Sequence, residues 1–169
     1  MKKLLLTTLL LQQLGASTLQ KSGDALLLLL PASALATTFY HDDSQGRMQL
    51  YKGAGTNLAT TLALKYSIDK TRPDGSDDNS FPSGHTSVTF QAASFLHRRY
   101  GLAYGLPAYA LATYTGYTRI QSDKHYLTDV LAGATIGILS SYAFTTANGL
   151  HYAPIMIGSR YGVGVSKAW

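Results

Sequence analysis

The sequence predicts an all-α fold, a helical bundle with its active site at helix ends and in the loops between them. The first observation is composition: 14% of the 169 residues are charged, against roughly 25% in an average soluble domain. The deficit is filled by Gly, Ala, Ser, Thr and Tyr, a mixture suited to closely packed helices or a membrane-facing surface. The second is a series of apolar stretches of helical length, separated by turn-forming residues. The third is that residues able to carry chemistry cluster where these stretches begin and end.

The first 20 residues read as a bacterial signal peptide, with an N-terminal helix of the domain as the alternative. Lys2 and Lys3 form a basic start, and the following apolar region is too short to span a bilayer. Small residues follow at 15–17, which predicts cleavage between about Ala16 and Gln20 if the segment is exported. We therefore divide the chain into residues 1–20, a helical domain over 21–147, and a tail over 148–169.

Five helical segments are predicted after residue 20. The run 25–40 is the most apolar, falls short of spanning length, and contains Pro31, which would kink it or mark its start. A turn follows at 41–46, and the next helix occupies about 49–69. A polar loop at 72–82 leads to a helix over 83–100, which Gly101 ends. The last two helices are expected over 107–118 and 129–146.

Two further features concern packing and the C-terminus. Gly133 and Gly137 lie four residues apart in the last helix, a spacing typical of close helix packing. Residues 152–169 combine Gly with β-branched residues, which predicts either a short β-hairpin or an extended tail.

The composition also excludes some functions. The chain has no cysteine, so a disulfide framework, a thiolate nucleophile and Cys-ligated zinc are ruled out. The net charge of +5 fits attraction of anionic substrates or lipid headgroups, and fits ordinary solubility equally well.

Three ordered clusters carry the functional prediction. They combine permanent cations, two histidines, one carboxylate and a Gly-containing turn: Lys65 with Arg72-Pro73, then Pro82-Ser83-Gly84-His85, then Arg119 with His125 and Asp129. Lysine and arginine neutralise phosphate, and arginine adds a planar fork of donors. Histidine can be a nucleophile, an acid or a base near neutral pH. Together these groups predict a protein that binds a phosphate and attacks it.

The spacing suggests how the clusters meet. Ser83 and Gly84 at a helix N-terminus would present unpaired backbone N–H groups to an anion. His125 and Asp129 are four residues apart, so on a helix they would share a face, and the carboxylate would orient the imidazole. Each residue alone could be an ordinary surface or capping residue. Their joint order argues against that.

The three clusters resemble the signature of the type 2 phosphatidic acid phosphatase superfamily, which includes lipid phosphate phosphatases, bacterial class A acid phosphatases and vanadium-dependent haloperoxidases. The first two motifs match in full, and Thr118 replaces the usual Ser in the third. The resemblance implies that His125 is the nucleophile and forms a phosphohistidine, that Asp129 orients it, and that His85 is the general acid. It also implies a phosphate site, formed by Lys65, Arg72, Ser83, Gly84 and Arg119, and no metal or other cofactor.

These expectations point to a phosphatase acting on a phosphomonoester or diphosphate of an envelope lipid. The alternatives are a soluble non-specific acid phosphatase, a vanadate-dependent haloperoxidase and a non-catalytic envelope protein. We expect a periplasmic or inner-membrane protein whose active site faces the periplasm, with a phosphorylated lipid or small phosphoester as substrate and no nucleic acid partner.

Overall fold

The structure, a computed structural model, describes residues 2–148, 150–157 and 160–167 and confirms the predicted helical bundle. It contains five α-helices and a two-stranded antiparallel hairpin. Their bounds are α1 Lys2–Tyr40, α2 Ser44–Ser67, α3 Gly84–Tyr100, α4 Leu102–Gln121, α5 Leu127–Phe144, β1 Leu150–Ile157 and β2 Arg160–Lys167. The hairpin alternative for the C-terminus is therefore correct for the residues that the structure describes.

Helix α3 lies at the centre of the bundle and contacts the other four helices. Its approach to α5 depends on two small residues. A Cβ atom at Gly133 would collide with the carbonyl oxygen of Ser83, and one at Gly137 with that of Ser87. The predicted packing role of this glycine pair is confirmed, and it brings the N-terminus of α5 beside the N-terminus of α3.

The hydrophobic core occupies the half of the bundle that contains the second half of α3. Its largest members include Leu30, Phe95 and Tyr100. Beneath it, at the turn between α1 and α2, the buried carboxylate of Asp43 accepts hydrogen bonds from Arg99 at 2.6 and 2.7 Å. Because such a buried pair is costly to break, it stabilises this end of the bundle.

Helix α1 differs from the prediction in three respects. It runs without interruption through residue 20, so the division placed there does not coincide with the end of an element. Pro31 lies inside the helix and does not start it. The helical segment that contains the apolar run is also longer than 25–40, and its 23 residues Thr18–Tyr40 have the length and composition to cross a membrane although residues 18–24 are mostly polar. A second such segment is Leu127–Phe144 in α5.

Helices α2 and α4 begin earlier than expected. Asp43 caps α2 by accepting from the backbone N–H of Gly46 at 2.8 Å, which moves the helix start from about 49 to Ser44. Helix α4 begins directly after Gly101 and includes Pro107, which the sequence had placed at its start.

Candidate active site

The predicted site residues converge at one end of the bundle. This end is formed by the N-termini of α3 and α5, the C-termini of α2 and α4, and the loop between α2 and α3. The loop is folded back on itself, since Lys70 and Arg72 donate backbone hydrogen bonds at 2.9 Å to the carbonyl groups of Asp78 and Asp77. It therefore holds its side chains against the helix ends.

His125 lies in the connection between α4 and α5, and the expectation that it shares a helical face with Asp129 is wrong. Its ring is 3% exposed. Nδ1 lies 2.6 Å from the backbone carbonyl of Ser80 and donates to it. Nε2 consequently carries the free lone pair.

Asp129 does not bond directly to the His125 ring: Nδ1 and Oδ2 are 3.9 Å apart. The carboxylate instead accepts from the Ser80 hydroxyl at 2.6 Å, from Lys70 Nζ at 2.5 Å and from the backbone N–H of Tyr126 at 3.0 Å. The last contact caps α5. Asp129 thus fixes Ser80 through its hydroxyl, and the carbonyl of Ser80 accepts a hydrogen bond from His125 Nδ1.

His85 and Arg119 meet at a carboxylate that the sequence analysis did not single out. His85 Nε2 and Arg119 Nη1 each lie 2.9 Å from Oδ1 of Asp24 on α1. Arg119 also donates from Nη2 to the carbonyl of Gln20 at 2.7 Å and from Nε to the hydroxyl of Thr118 at 3.3 Å. Thr118 therefore supplies, in place of the usual Ser, the hydroxyl that accepts a hydrogen bond from Arg119.

The other two predicted cations line a cavity of about 290 Å³ between the end of α2 and the loop. Lys65 Nζ donates to the carbonyl of Asn79 at 2.6 Å, and Arg72 Nε donates to Asp77 at 2.7 Å. The cavity adjoins the apolar side chain of Leu62. It therefore offers cationic and apolar groups to the same occupant.

The turn before α3 provides room for an anion. Ser83 is fully buried and its hydroxyl pairs with that of Thr86 at 2.9 Å. A Cβ at Gly84 would have only Lys65 and Thr61 as neighbours, at 3.8 and 3.9 Å. The first N–H groups of α3 thus open towards the Lys65 side chain.

The charges of the site act on one another. The pKa of His125 is lowered to about 4, first by burial and then by the charge of Arg72. Burial also lowers the pKa of His85, and Arg119 and Arg72 lower it further, while Asp24 opposes the change. The influence of Arg72 on both histidines shows that the first motif lies beside the second and third. An imidazole that stays neutral and lies among cations suits attack on a phosphate.

Three neighbours of the site were missed by the sequence analysis: Asp24, Lys70 and Ser80. Asp24 had a usable signal, because it is the one charged residue between Lys21 and His41, and a charge within an apolar helix is a functional candidate. Ser80 acts through its backbone carbonyl as well as its hydroxyl, and a carbonyl contact has no side-chain signature.

Comparison with known proteins identifies the family of this chain. The family model described as the PAP2 superfamily matches residues 5–152. A lipid A 1-phosphatase of Porphyromonas gingivalis is 41% identical over 101 residues, which are 57% of this chain and 23% of that protein. A lipid A 4'-phosphatase of Helicobacter pylori is 35% identical over 106 residues, 58% of this chain and 54% of the relative. The matches thus cover well under two thirds of these relatives.

Two solved structures share the fold. The crystal structure of Aquifex aeolicus LpxE superposes with a TM-score of 0.66 at 22% identity, covering 77% of this chain and 84% of that one. A transmembrane PAP2-type phosphatidylglycerolphosphate phosphatase from Bacillus subtilis gives 0.61 at 24% identity, covering 79% and 74%.

Proposed function

Because this chain belongs to the PAP2 superfamily, we propose that it hydrolyses a phosphomonoester of an envelope lipid through a phosphohistidine intermediate. The observation that carries the proposal is the convergence of a buried neutral imidazole, His125, with three cationic side chains at one end of the bundle. Lys65, Arg72 and Arg119 supply the charge that a transferring phosphoryl group needs.

The nucleophile is His125. Its Nδ1–H is held by the Ser80 carbonyl, so Nε2 attacks phosphorus and forms the N–P bond while the bond to the leaving oxygen breaks. The imidazole becomes cationic in this step, and the Asp129 carboxylate 3.9 Å away stabilises that charge. A pKa of about 4 keeps the free ring neutral over the pH range in which cells work.

His85 is the general acid. It protonates the departing alkoxide, and the neutral ring then accepts a proton from the water that hydrolyses the phosphohistidine. The products are the alcohol and inorganic phosphate, and both histidines return to their starting states. The backbone N–H of Gly84, at the start of α3, completes the cradle for the phosphoryl oxygens. The N–H of Ser83, which the sequence also offered, is instead donated to the carbonyl of Asp129 at 3.0 Å.

The lipid substrate follows from where the site lies. Both candidate membrane segments run from the end of the bundle that contains the site to the opposite end, since Thr18 and Leu127 lie at the site end and Tyr40 and Phe144 at the other. Their outer faces are apolar, with Leu28 72% and Leu139 63% exposed. A bilayer around these helices would place the site at the level of lipid headgroups.

Lipid A phosphate is the first substrate to test, because lipid A 1- and 4'-phosphatases are among the relatives. Phosphatidate and an alkyl phosphate should be tested beside it, since the cavity lined by Lys65 and Arg72 offers two cations and the apolar side chain of Leu62 to any phosphate ester with an apolar group. Release of phosphate from none of these, with bromide oxidation in the presence of vanadate and peroxide, would instead support the haloperoxidase alternative.

The covalent step has a direct test. With rapid quenching, wild-type protein should retain base-stable, acid-labile phosphate from radiolabelled substrate, and His125→Ala should retain none and turn over at background rate. His97→Ala serves as the matched control, because His97 lies in the last turn of α3, at the end away from the site. Phosphate trapped on His85 would contradict the assignment of the two histidines.

A further inference from the structure

Asp24 contacts two groups of the site at once and belongs to none of the three motifs. Its Oδ1 atom accepts from His85 Nε2 and from Arg119 Nη1, both at 2.9 Å. Helix α1 is brought to this position by Gly23, where a Cβ would collide with the Thr118 hydroxyl and approach Arg119 Nη2 to 2.8 Å. The close approach of α1 to α4 therefore places a carboxylate between the two groups.

We propose that Asp24 is a positioning residue for the phosphatase reaction, which orients His85 and keeps it protonated for its role as general acid while aligning Arg119 for the phosphoryl group. This inference rests on the proposed function. A carboxylate that accepts from one nitrogen of a histidine fixes the ring and favours its cationic form.

The hydrogen bonds of Arg119 support this role. A guanidinium has five N–H donors, and Asp24, Gln20 and Thr118 take one each, from Nη1, Nη2 and Nε. One N–H remains on each terminal nitrogen. These two remain available to phosphoryl oxygens, and hydrogen bonds from a charged guanidinium to phosphate are among the strong ones.

The cations around His85 disfavour its protonated form, and a carboxylate beside the ring opposes this effect. Arg119 approaches from α4 and Arg72 from the loop, and both disfavour a protonated ring, as does burial. Lys65 adds another cation from α2, beside Gly84, and the neutral ring of His125 carries no charge to offset them. Asp24 is the acidic group that opposes these effects. Its side chain is 43% exposed, so solvent screens the interaction and a partial loss is expected when it is removed.

The test compares Asp24→Asn with wild type on an alkyl phosphate and on p-nitrophenyl phosphate. The alkoxide needs a proton to leave, whereas nitrophenolate needs little help. For the alkyl ester, kcat/KM should fall about tenfold, which is a part of the 10²–10⁴-fold that a general acid contributes. The basic limb of the pH profile of kcat/KM for this ester should move to lower pH. The nitrophenyl ester should lose about twofold or less. Asp24→Glu should recover part of the loss.

Asp42→Asn is the matched control. It removes one exposed carboxylate just beyond Tyr40, where α1 ends some 24 Å from Asp24 at about 1.5 Å per residue. The positive φ of Asp42, 49°, suits asparagine. This variant should leave both substrates and the pH limb unchanged. Equal losses on the two esters in Asp24→Asn, or an unmoved basic limb, would refute the proposal. A lower KM with undiminished kcat would also refute it, by showing that Asp24 blocks the phosphate site.

A readout without turnover separates this inference from the proposed function. The ring proton signals of His85, assigned with His85→Gln, give its pKa directly by NMR in detergent. The pKa should be lower in Asp24→Asn than in wild type and unchanged in Asp42→Asn. An unchanged pKa in Asp24→Asn overturns the positioning role whatever the substrate is. Absence of phosphate release by the wild type, with the shift present, counts against the proposed function alone.

Discussion

At the scale of single residues, the carboxylate of Asp129 reaches the nucleophile through a neighbour. The three motifs predicted which side chains would gather, and the structure brings them to one end of the bundle. They could not predict that Ser80 lies between Asp129 and His125, because that link depends on the fold of the loop and on a backbone carbonyl. The role of Lys70 was hidden for the same reason: its partner, Asp129, is 59 residues away in sequence.

Two substitutions distinguish the direct and indirect links. Ser80→Ala keeps the carbonyl that receives the His125 proton and removes one donor from a buried carboxylate, which costs about 1–3 kcal/mol and should lower kcat about tenfold. Asp129→Asn also removes the charge that stabilises the imidazolium, so its kcat should fall further, by about a hundredfold. Steady-state kinetics on one alkyl phosphate measures both. A larger loss in Ser80→Ala than in Asp129→Asn would contradict this order.

The pH dependence follows from the two histidines. His125 must be neutral to attack, so kcat/KM should rise as pH increases through about 4, the lowered pKa of this ring. His85 must be protonated, and burial, followed by Arg119, lowers its pKa below the usual 6.5. Activity should therefore fall as pH increases through that lowered value, which places the maximum on the acid side of pH 6.5. A kcat/KM profile for the alkyl ester that peaks above neutrality would be inconsistent with these roles.

At the scale of elements, local signals predicted which segments are helical better than where they begin and end. The start of α2 was misplaced because Asp43 caps it, and the same carboxylate is fixed from the other side by Arg99, a contact that needs the whole bundle. Similarly, α1 includes Pro31, since tertiary packing of the helix outweighs the local preference of proline to interrupt it. The Gly133 and Gly137 spacing was readable because close helix packing has a sequence signature.

This packing can be tested with two glycine substitutions. At Gly137 an added Cβ would collide with the Ser87 carbonyl and lie 2.8 Å from the backbone nitrogen of Gln91, neither of which can rotate away. Gly137→Ala should destabilise the fold by about 1–3 kcal/mol and lower Tm. Gly55→Ala is the control, since nothing lies within 4 Å of its Cβ position and alanine favours the helix by up to about 1 kcal/mol. A thermal unfolding scan in detergent should show a lower Tm than wild type for Gly137→Ala and no decrease for Gly55→Ala. Equal Tm values would contradict the tight contact.

At the scale of the whole molecule, the two ends of the bundle have different tasks. The end with Asp43 and Arg99 is closed by a buried ion pair, while the end with His125 gathers the cations Lys65, Arg72 and Arg119, of which the two arginines are paired with exposed or half-exposed carboxylates. The two candidate membrane segments run between these ends, about 34 Å for the 23 residues in α1 at 1.5 Å per residue. The apolar run at 25–40 was read correctly from the sequence, and the candidate segment is longer because α1 continues without a break through the more polar residues before it. If the N-terminal segment is cleaved at any bond before Gln20, the carbonyl of Gln20 and the carboxylate of Asp24 both remain in contact with Arg119.

The absence of cysteine allows the orientation of the whole molecule to be measured. We expect a single cysteine at the site end, Ser76→Cys in the exposed loop, to react with a membrane-impermeant maleimide in intact bacterial spheroplasts. The matched variant Ser44→Cys, at the exposed start of α2 on the opposite end, should react only after the membrane is permeabilised. This expectation follows from the proposed function, in which both candidate segments would cross the same bilayer with the site end outside. The reverse pattern would turn the site towards the cytoplasm, and labelling of both cysteines in intact spheroplasts would exclude a spanning arrangement.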